Sequence, residues 1–153
     1  MTPQEFLKSE QELALKVFNE DHQILPQFTI LRTTDKIEQY VIAEGFQDGK
    51  QKEKYYALMK KVCRQPNVVC CVQIMEVWCS MSNTSAITVR PSEDPNRLSA
   101  VMIVLYTKTE EKGITYLEKD GKLELFEDGE QGKFHSTFGN PFSPLNLKNK
   151  NFN

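Results

Sequence analysis

Apolar positions recur near the helical period in MTPQEFLKSEQELALKVFNED from Thr2 or Pro3 onward, at Phe6, Leu7, Leu13, Ala14, Val17 and Phe18. They predict an amphipathic helix that needs a sheet or a partner to cover it. Thr2 stands at the N-cap position, Pro3 suits the first turn, and Glu5 completes a capping box. The pattern then changes. QFTILRTTDKIEQYVIAEGF is rich in β-branched and aromatic residues around a polar break at Thr33 to Lys36, which predicts a hairpin of Phe28 to Arg32 and Ile37 to Ala43. After QDGK the helical period returns from Gln51 to Arg64 through Tyr55, Leu58, Met59 and Val62, and Pro66 stops it.

NVVCCVQIMEVWCSM is apolar on both alternating faces. Val68, Cys70, Val72, Ile74, Glu76 and Trp78 fall on one, and Val69, Cys71, Gln73, Met75, Val77 and Cys79 on the other. A strand of this kind belongs in the centre of a sheet covered on both sides, and residues 99–107, SAVMIVLYT, have the same character. Asp120-Gly121 between alternating runs signals a tight hairpin, because its turn wants positive φ at both central positions. The order helix, hairpin, helix and about four strands predicts an α+β fold: a mainly antiparallel sheet of about five to six strands with two helices packed on it. The expected organisation is one domain over 1–130 and a tail over 131–153, rich in Phe, Pro and Asn, that either docks its aromatics or stays disordered. Phe28 to Arg32 and Leu123 to Phe126 are read as outer strands whose edges a twin chain can pair with, so a symmetric homodimer is expected.

Length and charge narrow the function classes. At 153 residues one core can form without staples. A net charge of -2 and a pI near 5.8 supply no basic field, which disfavours nucleic acid as a partner. The basic strip of Lys50, Lys52, Lys54, Lys60, Lys61 and Arg64 alternates with Glu53 and apolar residues, as on a solvated helix face. No stretch resembles a signal peptide or a membrane span, so a cytoplasmic protein is expected. Cys63, Cys70, Cys71 and Cys79 lack C-x-x-C spacing, and neighbours on a strand point to opposite faces; reduced thiols and no metal follow. Phosphate-binding glycine motifs are missing, His22 and His135 are isolated, and no cofactor is expected.

The segment RPSEDPNRL, 90–98, joins the two central runs. Pro91 and Pro95 restrict the residues before them, and Ser92, Asp94 and Asn96 can bond their own backbone, so it serves either as a rigid connection or as a ligand loop. Glu76 is an acid on an otherwise apolar face and needs compensation. A bidentate pair with Arg97 is the favoured arrangement, with Arg90 the competing partner. Glu76, Trp78, Ser92, Glu93 and Arg97 are therefore the candidate binding residues. Tyr55, Tyr56 and Trp78 have the chemistry to stack on bases, but without a basic groove they read as core or partner-facing aromatics.

EVWCSM followed by RPSEDPNRLSAVMIVLYT, after LMKKVCRQPNVVCCVQIM, resembles a group of small bacterial and phage proteins of unknown function. The shared pattern is E-x-W, then P-S-x-x-P-x-R, then an apolar strand; Glu76, Trp78, Pro91, Ser92, Pro95 and Arg97 match it, and the likeness covers about residues 55–107. It implies no activity. The residues favour a non-enzymatic binding or interaction module working on a protein partner or a small ligand. The alternative is a small enzyme or ligand binder with a polar site at Glu76, Ser92, Glu93 and Arg97.

Overall fold

The computed structural model describes residues 1–43, 48–79, 95, 97–126 and 140–143. Helix α1 (Pro3–Asp21) starts as its sequence demands: Thr2 Oγ1 accepts the Glu5 N–H at 3.1 Å, and Glu5 Oε2 accepts the Thr2 N–H at 3.3 Å. It ends at His22, which takes the left-handed conformation. Strands β1 (Gln27–Arg32) and β2 (Ile37–Val41) form the expected hairpin. Helix α2 (Gly49–Cys63) is capped by Asp48, whose Oδ1 accepts the Gln51 N–H at 2.8 Å. Strands β3 (Val68–Cys79), β4 (Leu98–Tyr106), β5 (Glu111–Lys119) and β6 (Lys122–Leu125) follow. Asp120 and Gly121 both have positive φ, 53° and 78°, as a tight turn between β5 and β6 requires.

All six strands make one antiparallel sheet in the order β2-β1-β3-β4-β5-β6. The fold is α+β, with a helix on each face. On one face Phe6, Leu7, Ala14 and Phe18 of α1 pack with Cys70, Val72, Ile74, Val101, Ile103, Leu105 and Tyr116. On the other, Tyr55, Tyr56, Met59 and Val62 of α2 pack with Phe28, Ile30, Cys71, Val104 and Tyr106. Burying each such large side chain is worth about 1.5–3 kcal/mol against exposure, so both layers contribute substantially. Tyr55 and Tyr56 are thus core residues. In the C-terminal stretch, Pro141 is fully buried, Phe142 packs on the α2-side core, and Asn140 Nδ2 donates to Thr107 O at 2.7 Å.

Two expectations need correction. The alternation read along β3 breaks at its start, because a bulge between Cys70 and Val68 lets Val69 and Cys70 join the α1 side while Val68 joins the α2 side. β1, read as an outer strand, is internal, between β2 and β3. The reason lies in its side chains: Phe28 and Ile30 fill one face and Leu31 the other, so either face exposed would cost apolar burial. Among the described strands the edges are β2 and β6.

Candidate functional site

The longest strand, β3, outruns its neighbours. Its pairing with β1 ends at Gln27 opposite Ile74, and β4 pairs with β5 only as far as Ala100 opposite Leu117. Among the described residues, Trp78 opposite Ser99 and Cys79 opposite Leu98 carry the β3–β4 pair beyond the ends of the β1 and β5 pairings. Alternation puts Glu76 and Trp78 on the α1 side. The register brings Ser99 and Glu118 onto that side beside Trp78, with Val101 and Tyr116 beside Glu76.

Trp78 is the one tryptophan of the chain, and half of it, 50%, is exposed. Arg97 Cζ lies 4.5 Å above the centroid of its ring. A guanidinium over an indole face gains roughly 0.5–1 kcal/mol at an exposed position, enough to orient both groups without hiding them. The partner of Trp78 across the strand pair is the small Ser99. The result is a flat aromatic plate carrying a cation, with Glu76 and Glu118 beyond it.

Glu76 does not pair with Arg97. It stands opposite Val101, four residues along β4 from Arg97, a span of about 13 Å at strand spacing, with Trp78 between them. Its Oε1 instead accepts the N–H of buried Ile24 at 2.9 Å, which ties β3 to the connection between α1 and β1. Partial burial pushes the Glu76 pKa above the ordinary carboxylate value; the Ile24 N–H draws it down and the Glu118 charge adds to the rise. Of the other predicted site residues, Ser92 and Glu93 lie outside the described residues, as do Pro91 and the competing Arg90. Pro95 is exposed.

Two buried polar groupings escaped the sequence reading. In the α2-side core Gln73 Nε2 donates to Tyr56 Oη at 3.0 Å, and Tyr106 Oη donates to Gln73 Oε1 at 3.3 Å. On the α1 side Glu10 is buried against the sheet, and burial pushes its pKa up while the facing Thr29 hydroxyl draws it down more weakly. Thr29 Oγ1 forms no completed hydrogen bond among the described residues. Both had a sequence signal: Gln73 interrupts VVCCVQIM, and Glu10 continues the i, i+4, i+8 stripe of Phe6 and Ala14.

The remaining chemistry is structural. Cys63, Cys70 and Cys71 are free and buried; burial pushes the Cys70 thiol up to about 12, and Cys71 rises too, so neither is a ready thiolate at neutral pH. Among the described residues no three His, Cys, Asp or Glu side chains come together to hold a metal. His22 is an exposed helix cap set edge-on to Phe18. Among the described residues no helix is long and apolar enough to cross a membrane. Comparison with protein-family models, with curated proteins and with solved structures finds no match.

Proposed function

We propose that the protein is a non-enzymatic interaction module whose docking surface is the Trp78 plate with Arg97, and that its partner there is a protein segment. The observation that carries this reading is the half-exposed indole under a guanidinium at the projecting end of the sheet. Trp and Arg are the residue types that most often dominate protein interfaces. A partner residue laid on Trp78 would bury much of its remaining apolar area with little ordering cost, since Arg97 already restrains the ring. Glu76 and Glu118 would form part of the polar rim. The same reading has the chain acting in the cytoplasm as a homodimer.

Peptides selected from a displayed random library against the folded protein test this reading. Binding that falls at least tenfold with Trp78→Ala, and falls clearly with Arg97→Ala, is the expected result. Selected peptides that bind both variants as tightly as the wild type would overturn it.

A further inference from the structure

The two sheet edges differ. β6 is four residues long and exposes Lys122 and Glu124 beside a single large apolar residue, Leu125, at 50%. β2 carries Ile37 and Val41 on its α1 side, 49% and 43% exposed, and its described residues contain neither proline nor bulge to blunt the edge. Among the described strands β2 pairs only with β1, and the direction of its outer backbone groups follows from the hairpin. Ile42 N–H donates to Pro26 O at 2.9 Å, and Arg32 N–H to Lys36 O at 2.9 Å. An antiparallel ladder alternates, so Glu38 and Tyr40 also turn their backbone groups towards β1, while Ile37, Gln39 and Val41 turn theirs to the open edge.

The sequence of β2 is complementary to itself about its middle. Laid antiparallel on a second copy with Gln39 at the two-fold axis, it sets Ile37 opposite Val41, Gln39 opposite Gln39, and Glu38 opposite Tyr40. Every outward backbone pair then meets another outward pair. Apolar side chains meet apolar ones on the α1 side, and no like charges stand directly opposed. We infer that a second copy of this chain occupies the β2 edge, paired antiparallel about Gln39, to join two six-stranded sheets into one. This assignment rests on the dimeric part of the functional reading and names its interface, at a place separate from the Trp78 plate.

The closing experiment has two readouts. Sedimentation should give twice the 17.7 kDa chain mass at micromolar concentration. Gln39→Cys should cross-link to a covalent dimer under mild oxidation, because directly opposed hydrogen-bonded residues have Cα atoms about 5.5 Å apart, within disulfide reach. Ile37→Cys should not, since its counterpart lies roughly 13 Å away along the partner strand. Gln39→Pro removes an outward N–H that a free edge strand can lose without harm, and should give monomers with unchanged circular dichroism. Should that variant fail to fold, the double variant Ile37→Lys and Val41→Lys, at two exposed positions, must give the monomer instead. A dimer that survives these changes, or that leaves Gln39→Cys uncross-linked, overturns the interface and leaves dimerisation standing. A wild-type mass of 17.7 kDa throughout overturns both.

Discussion

Glu76 Oε1 accepts the N–H of Ile24 at 2.9 Å, and this bond takes the place of the ion pair that its position in an apolar strand suggests. It joins the middle of the sheet to the chain leaving α1. Removing the acceptor leaves a largely buried N–H unsatisfied, at a cost of about 1–2 kcal/mol for a partly exposed carboxylate. Glu76→Ala should therefore lower stability by that amount, and Glu76→Gln, which keeps an acceptor oxygen, by less than about 0.5 kcal/mol. Losses for Glu76→Ala and Arg97→Met should add to within about 0.5 kcal/mol, because Glu76 bonds the Ile24 N–H while Arg97 lies over the Trp78 ring. Denaturant melts of both variants and their combination check this; strong coupling would restore the ion pair.

Glu10 gives the fold a pH dependence of definite sign. Burial raises its pKa in the folded state above the ordinary 4.5. The native protein therefore holds this proton more tightly than the unfolded chain, and the stability it contributes is full below 4.5 and lost as pH rises through the folded value. Glu76 acts in the same direction, whereas Glu38, held below its ordinary value by Arg32, acts in the opposite one. Glu10→Gln removes the first contribution and offers Thr29 a neutral amide donor. It should stabilise the protein at pH 7 by about 1 kcal/mol. Urea melts of wild type and variant across the acid to neutral range should show the variant's advantage growing with pH, and a constant difference would contradict the assignment.

Gln73 links two tyrosines from different elements, Tyr56 of α2 and Tyr106 of β4. Replacing it by Leu keeps the volume but takes a donor from one hydroxyl and an acceptor from the other in a buried setting. Gln73→Leu should cost about 2 kcal/mol. Gln73→Leu combined with Tyr56→Phe should recover part of it, since a phenyl ring asks for no partner. Thermal melts that place the double variant below Gln73→Leu would refute this account of the network.

Local chemistry was the most legible part of the sequence. Thr2 with Glu5, and Asp120 with Gly121, each declare an element boundary through side-chain reach or backbone preference, and each forms as read. The central place of β3 and β4 followed from their two apolar faces. The position of β1 was equally available in QFTILR, where Phe28, Ile30 and Leu31 serve both faces, while IEQYV alternates as an edge strand should. What local pattern does not carry is the pairing partner at a distance. The bulge at Val69 and the four-residue offset between Glu76 and Arg97 are properties of register, set by how twelve residues of β3 align with β1 and β4 together. The choice of opposite faces for the two helices is likewise a property of the whole sheet. For the site, the sequence singled out Trp78, Glu76 and Arg97, yet it matched the arginine with the carboxylate, whereas the structure sets it over the ring.

Trp78 is the single tryptophan, so the emission of the native protein reports this position alone. Trp78 is the proposed docking plate. A peptide selected on the folded protein should shift its emission to shorter wavelength and shield it from acrylamide, with both effects saturating in step with binding and weakening in Arg97→Ala. Saturating binding that leaves the emission and quenching of Trp78 unchanged would contradict it.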